Sequence, residues 1–133
     1  MRYLLTQAVK RITRVSKGLA YAPPSRKRSL NRRLMQFLII AYDGIDAEAL
    51  NRRLAARGAH IELGDKLRDA GHLHFGTAIL DDSGKMIGSM LVAEYDSREE
   101  LDAWLNGEPY VTGKVWETIE VRPCRVGPSF VRK

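Results

Sequence analysis

The sequence has only one cysteine, Cys124, which excludes an intramolecular disulfide and favours a reducing compartment. It is also poor in metal ligands, because His72 and His74 alternate on one segment but no cysteine or further histidine stands at ligand spacing. No apolar run approaches the roughly 18 residues that span a bilayer, and no glycine-rich segment has the lysine placement of a phosphate-binding loop. We therefore expect a soluble intracellular protein without a metal, a cofactor or a membrane segment.

Acidic residues are absent from residues 1–34, which contain ten lysines and arginines. The whole chain has 22 basic and 16 acidic residues, so residues 35–133 retain 12 basic and 16 acidic residues, a net charge of about −4. The overall charge of +6 therefore belongs to a basic N-terminal extension and not to the domain that follows it. Nucleic acid is accordingly not expected as a partner of the domain, and only the extension has the charge to bind one.

Three interpretations of the extension, residues 1–34, stay open. It can be disordered or upstream sequence in front of a domain that starts at Met35, because two prolines and clustered like charges disfavour ordered structure in its second half. Its first half can form a basic amphipathic helix, which is typical of an organellar, for example mitochondrial, targeting peptide. It can also be an arm that binds nucleic acid or a membrane. We expect a cytoplasmic protein, with an organelle as the alternative.

From Met35 onward, strand patterns alternate with helical patterns. The strand patterns are MQFLIIAY, LHFGTAIL, IGSMLVAEY and VWETIEVRP, and the helical ones lie in residues 45–71 and 98–105. DDSGK predicts a hairpin turn, Ser97 with Glu100 predicts a capping box, and Gly71 predicts the end of the first helix. The order βαββαβ with an antiparallel sheet predicts a ferredoxin-like α+β domain over residues 35–133, with a turn at EPYV.

A histidine stands on the apolar face of the first predicted helix. Leu50, Leu54, Leu63 and Leu67 mark that face, and His60 lies three residues before Leu63 and seven before Leu67. These spacings direct the imidazole towards the interior. A histidine in such a place is either a hydrogen-bonded core residue or a functional group.

The predicted strands are apolar on both faces. In the first strand, Phe37 and Ile39 alternate with Leu38 and Ile40, so neither face is polar. Helices in a βαββαβ fold cover only one face of the sheet, and the second face must be covered by something else. We expect a homodimer that packs sheet against sheet; the alternative is a monomer in which the extension or the C-terminal segment PCRVGPSF folds over the open face.

Several separated stretches occur in an order that resembles the YCII-related proteins, small members of the dimeric α+β barrel group. These stretches are RGAH, DAGHLHFG, LDDSGKMIGSMLVAEYDSREELDAWL and GEPYVTGKVWETIEVRP, and the resemblance runs from Met35 to about Pro123. It implies a homodimeric barrel with a cleft between sheet and helices, and a His-Asp pair as the proposed active site. The histidine matches His60, whereas Glu108 stands in place of the usual aspartate and has a longer arm by one methylene.

The related barrels include muconolactone isomerases, dehydrochlorinases and cofactor-free monooxygenases. The resemblance therefore implies lyase-type or isomerase-type proton transfer at an activated carbon of a small organic compound. In this role His60 is the general base or acid, and Glu108 orients it, because a carboxylate fixes the tautomer of one ring nitrogen and raises the basicity of the other. Tyr110 is a candidate donor to a developing enolate oxygen, and Ser89 is expected to face the same cleft.

Each candidate also has a structural interpretation. Glu108 can simply be a carboxylate at a helix N-terminus ahead of a proline in the first turn. Tyr110 and Trp116 can be packing residues, and Cys124 an unreactive thiol. Two classes of function stay open: a small cofactor-independent enzyme, or a non-catalytic dimer whose cleft binds a small ligand or a partner protein.

Overall fold

The computed structural model describes residues 34–131, so the predicted extension lies outside the described residues apart from Leu34. The elements in chain order are β1 (Met35–Asp43), α1 (Ala49–Asp69), β2 (Leu73–Leu80), β3 (Met86–Tyr95), α2 (Arg98–Gly107), α3 (Pro109–Thr112) and β4 (Trp116–Cys124), followed by a short 3-10 turn at Pro128–Phe130. All strand pairs are antiparallel, and the sheet order is β2-β3-β1-β4. The predicted ferredoxin-like α+β fold is confirmed. The predicted turn at EPYV is instead the short helix α3, which begins directly after Glu108.

Local sequence signals set the boundaries of several elements. In the β2–β3 hairpin, the Asp81 carboxylate accepts hydrogen bonds from the backbone N–H groups of Ser83 and Lys85. Gly84 completes the turn with a φ of 87°, a conformation that glycine adopts without strain. At the start of α2, Ser97 Oγ accepts from the backbone N–H of Glu100 at 3.2 Å, as the predicted capping box requires.

Helix α1 differs from the sequence prediction in the face that it buries. The helix runs unbroken from Ala49 to Asp69, and Leu67 is fully buried as expected. Leu54, however, is 53% exposed, whereas Arg53 is only 2% exposed. The prediction that Leu54 marks the buried face was wrong, because an ion pair inside the fold holds Arg53 in its place. Among residues 34–131, no helix is both long and apolar enough to cross a membrane.

The two faces of the sheet have different environments. The face beneath the helices contains Phe37, Ile39 and Ala41 of β1, which are buried, and Ala41 lies opposite Ser89 of β3. On the other face, Leu38, Ile40 and Tyr42 of β1 and Met90 and Val92 of β3 are half-buried or exposed, whereas Gly88 and Glu94 of β3 are buried. The core lies between the helices and the first face, and its largest fully buried side chains are Trp104, Tyr95, Tyr110 and Phe37.

Candidate active site

A cleft of about 310 Å³ opens between α1 and the β2–β3 hairpin. Seven residues of α1 line it, and five of them are three or four positions apart and form one stripe along the helix: Arg53, Arg57, His60, Gly64 and Arg68; Ile61 and Asp65 lie beside this stripe. A Cβ atom added at Gly64 would meet nothing within 4 Å, so this part of the helix leaves the cleft open. Three of the predicted site residues, Ser89, Glu108 and Tyr110, line the same cleft with His60.

His60 and Glu108 are in direct contact at the edge of this cleft. His60 Nδ1 lies 2.5 Å from Glu108 Oε1, and their side chains are 20% and 2% exposed. An ionised carboxylate can only accept hydrogen bonds, so Glu108 favours the tautomer of His60 that carries its proton on Nδ1. The lone pair of Nε2 then remains available to accept a proton.

Glu108 also caps helix α3. Its Oε1 accepts a hydrogen bond from the backbone N–H of Tyr110 at 2.9 Å, and Pro109 occupies the first turn. The structural interpretation of Glu108 and its pairing with His60 are therefore compatible. The cap fixes the carboxylate in position, and the fixed carboxylate orients the imidazole.

Two aromatic side chains hold the plane of the imidazole. The Tyr110 ring stacks on His60 with centroids 3.8 Å apart, and Trp116 meets His60 edge to face at 6.0 Å. Burial raises the pKa of the Tyr110 phenol, which therefore stays protonated at neutral pH. Both aromatic residues thus pack against His60, and Tyr110 borders the cleft as well.

Beneath the cleft lies a second group of polar side chains, formed by Asp43, Arg53, Ser89 and Trp116. Of these, only Ser89 was a predicted site residue. Arg53 Nη1 donates to both carboxylate oxygens of Asp43, at 2.8 and 3.0 Å, and both side chains are almost fully buried. Arg53 Nη2 donates to Ser89 Oγ at 2.9 Å, and Trp116 Nε1 donates to the same oxygen at 3.1 Å. The Arg53 guanidinium also lies 4.7 Å from the centroid of the Tyr110 ring. Through Trp116 and Tyr110, this group contacts the His60 pair.

Two opposing effects act on the ionisation of Asp43: burial disfavours the charged form, and Arg53 favours it. Burial raises the pKa of the Asp43 carboxyl above its usual value, and the hydrogen bonds and the positive charge of Arg53 offset only part of this rise. The two short contacts from one guanidinium nitrogen indicate that the pair is ionic at neutral pH, since a guanidinium does not lose its proton in proteins. The buried charge of Arg53 is thereby fixed beside Ser89.

The histidines of β2 have other surroundings. His72 is buried, its Nδ1 lies 2.8 Å from the backbone oxygen of Glu94, and its ring stacks on Tyr95. His74 Nε2 lies 3.5 Å from Glu94 Oε1. Within residues 34–131, no group of three or more histidine, cysteine, aspartate or glutamate side chains could hold a metal ion. Cys124 is half-buried, and burial raises the pKa of its thiol.

A solved structure has a fold similar to that of this chain. The structure is similar to that of 5-chloro-2-hydroxyhydroquinone dehydrochlorinase (TftG) from Burkholderia phenoliruptrix AC1100, with a TM-score of 0.61 and 23% identity over 71% of this chain and 98% of that one. At this identity the likeness concerns the fold.

Sequence comparison gives the family. The proteins named YciI from Escherichia coli O6:H1 and from Shigella flexneri are each 34% identical to this chain over 97 residues, which are 68% of this chain and 97% of theirs. The family model of the YCII-related domain matches residues 35–125, most of the chain. The chain therefore belongs to the YCII-related domain family.

Proposed function

We propose that this protein is a small cofactor-independent enzyme that transfers a proton at an activated carbon of a small organic compound, as lyases and isomerases do. His60 is the general base or acid, and Glu108 is the residue that orients it. The observation that carries the proposal is the 2.5 Å contact between His60 Nδ1 and Glu108 Oε1 at the edge of an open cleft. A histidine that only packs in the core would be enclosed by other side chains and would not border an open cleft.

The surroundings of His60 favour acid-base chemistry. The carboxylate keeps the proton on Nδ1, and stacking on Tyr110 limits rotation of the ring, so Nε2 is a base in a fixed position. The volume of about 310 Å³ suits a ligand of about one ring. The structural neighbour TftG is a dehydrochlorinase whose structure was solved with 2,5-dihydroxybenzoquinone, and we propose oxygenated rings of this kind as the first ligands to test.

Replacing Glu108 with glutamine tests the orienting role. The amide oxygen can still accept the backbone N–H of Tyr110, but the amide nitrogen can donate to Nδ1, so the preference for one tautomer should be lost. In the wild type we expect neutral His60 to carry its proton on Nδ1, and in Glu108→Gln we expect a mixture of tautomers. Long-range ¹H–¹⁵N correlation spectra of the imidazole distinguish the two forms.

The other two histidines, His72 and His74, serve as internal references in the same spectra. Their tautomers should not respond to Glu108→Gln, because their contacts are to Glu94 and not to Glu108. A wild-type His60 with its proton on Nε2 would contradict the proposal, since the free lone pair would then be on Nδ1, which faces Glu108 and not a substrate.

A second candidate function is a receptor for a small ligand. The observation in its favour is that Ile61 and Phe75, both lining the cleft, are 43% and 42% exposed, as binding surfaces often are. Saturable binding of 2,5-dihydroxybenzoquinone, without turnover of any oxygenated ring compound, would favour the receptor over the enzyme.

We further propose that two copies of the chain form a homodimer through the face of the sheet opposite the helices. On that face Ile40 lies opposite Met90, both are half-buried, and Tyr42 is 44% exposed. A second copy of the same face would remove these side chains from water. The resulting two-sheet barrel is the assembly that the family resemblance implies.

Replacing Ile40 with lysine is expected to convert the dimer into a monomer at micromolar concentration. In the dimer the lysine would lose its contact with water; Glu120 of β4 lies next to position 40 in either state, but a buried ion pair is less favourable than the apolar packing that it replaces. Light scattering coupled to size-exclusion chromatography measures the change. Leu54→Lys is the control, because Leu54 is also apolar and reaches solvent, with 53% exposure, but lies on α1. A monomeric wild type would overturn the proposal.

The basic extension and the location of the protein belong to the same set of proposals. We propose that residues 1–34 form a unit separate from the domain, because ten basic residues without acidic partners provide little to pack on it. We propose the cytoplasm as the site of action, with an organelle as the alternative if the extension is a targeting peptide.

A further inference from the structure

The side chain of Ser89, at the cleft, accepts hydrogen bonds from two donors. Its Oγ receives hydrogen bonds from Arg53 Nη2 at 2.9 Å and from Trp116 Nε1 at 3.1 Å. A serine hydroxyl has two lone pairs and one hydrogen, so both lone pairs are occupied. Only the hydrogen is left to make a further bond, and it must point away from the two donors.

The hydroxyl hydrogen of Ser89 has no acceptor among residues 34–131. Every hydrogen bond of this side chain within that range is one that it accepts. Ser89 is 2% exposed and lines the cleft, so the open direction left to its hydrogen is the cleft itself. A buried donor without an acceptor is unfavourable, and a ligand oxygen in the cleft would relieve this.

The buried ion pair strengthens this donor. The charge of Arg53 lies one hydrogen bond from Ser89 Oγ and polarises the O–H bond towards the cleft. Asp43 holds the guanidinium through two hydrogen bonds, so the charge cannot turn to follow a ligand. A dipole that is fixed before the ligand arrives needs no reorganisation during a reaction, which is the requirement for stabilising a developing oxyanion.

We propose that the Ser89 hydroxyl, backed by Arg53, binds the oxygen of the substrate that becomes negatively charged during proton transfer. This deepens the proposed function and rests on it: His60 Nε2 removes a proton from carbon, and the electron pair of the broken C–H bond forms a carbon–carbon double bond. The π electrons of the adjacent carbonyl then move to its oxygen, which accepts a hydrogen bond from Ser89. The substrate class is thus a carbonyl compound with an acidic C–H on a saturated carbon next to the carbonyl, such as the keto form of a hydroxylated ring.

In this proposal Ser89, and not Tyr110 as the sequence analysis predicted, donates the hydrogen bond to the developing enolate oxygen. The Tyr110 ring is stacked on His60 and contacts the Arg53 guanidinium, an arrangement that positions both groups. Ser89 instead belongs to β3, across the cleft from the α1 stripe that includes His60. A base on the helix and an oxyanion donor on the sheet leave the space between them for the reacting carbon and oxygen.

The test compares two probes of nearly equal shape, 4-nitrophenol and 4-nitrotoluene, at one mildly alkaline pH at which the phenol is ionised. Wild-type full-length protein is expected to bind the phenolate at least about tenfold more tightly than the methyl compound, since hydrogen bonds to charged groups are among the stronger ones. Ser89→Ala is expected to lose most of this ratio, and Ser89→Thr, which keeps the hydroxyl, to restore it. Fluorescence titration gives each dissociation constant.

The ratio of the two affinities keeps the test valid if a variant is less stable, because both probes bind only the folded fraction. An unchanged ratio in Ser89→Ala overturns the proposal, and so does a wild type that binds the phenolate no better than the methyl compound or binds neither. His60→Gln separates this proposal from the proposed function. Suppose that the wild type prefers the phenolate, but the His60→Gln variant catalyses proton transfer from carbon as fast as the wild type. His60 is then not the base, whereas Ser89 still binds the anion.

Discussion

Replacing Asp43 with alanine is expected to lower the free energy of unfolding by about 3 to 5 kcal/mol. The substitution would leave the guanidinium of Arg53 buried without a counter-ion, in a side chain that is 3% exposed. Arg53 Nε already has no hydrogen-bond partner among the described residues, so no nearby acceptor is available to take over. Urea denaturation at one fixed protein concentration, followed by tryptophan fluorescence, measures the loss.

Asp46→Ala is the matched control for this experiment. Asp46 forms a bidentate pair with Arg52 at 2.6 and 2.8 Å, and Arg52 holds the pKa of Asp46 at about 2. Both partners are solvent-exposed, however, and water screens such a pair so that it contributes little to stability. We therefore expect Asp46→Ala to unfold close to the wild-type midpoint. The same kind of ion pair would then contribute much to stability at Asp43 and little at Asp46, three residues away.

A double replacement distinguishes the buried charge from packing. Asp43→Leu combined with Arg53→Met removes both charges and keeps apolar volume, and it should recover a large part of the stability that Asp43→Ala loses. If Asp43→Ala were no more destabilising than Asp46→Ala, Arg53 would have to reach solvent in solution. The fixed charge beside Ser89 would then be lost as well.

The fold was predictable because its signals are local. Alternation in the strands, the hairpin turn at Asp81 and the cap at Ser97 each depend on a few neighbouring residues, and the structure places all of them where the sequence predicts. The direction of His60 followed from its spacing to Leu67 in the same way. Helical periodicity fixes which residues share a face without any knowledge of what lies opposite.

The buried polar group was not predictable by the same rules. Hydrophobic patterning predicts that an arginine is exposed to solvent. Arg53 is stable inside the fold only because it contacts Asp43 and Ser89, which are 10 and 36 positions away in the sequence. One signal was present: Arg53 precedes His60 by seven residues, which places both on one face of α1. An arginine on the same stripe as a candidate base therefore indicates a polar cleft and not an exposed face.

Replacing His60 with glutamine is expected to lower the rate of base-catalysed proton transfer at least about 100-fold, since a positioned general base contributes about 10² to 10⁴. The ring opening of 5-nitrobenzisoxazole measures this without knowledge of the natural substrate. A base removes the proton from carbon, the electron pair of that bond forms the nitrile, and the nitrogen–oxygen bond breaks to give a coloured phenolate. Glutamine keeps a polar group beside Glu108 but has no basic nitrogen.

Glu62→Gln is the control for this last measurement, because Glu62 lies on α1 next to the His60 turn but its carboxylate is exposed and pairs with Lys66. It should react as fast as the wild type, which excludes catalysis by the exposed carboxylate of Glu62. The phenolate formed in the reaction is also the kind of anion that Ser89 is proposed to bind, so His60→Gln and Ser89→Ala should lower the rate less than multiplicatively when combined. Equal rates for wild type and His60→Gln would leave the cleft as a ligand-binding site, with Glu108 acting only as the cap of α3.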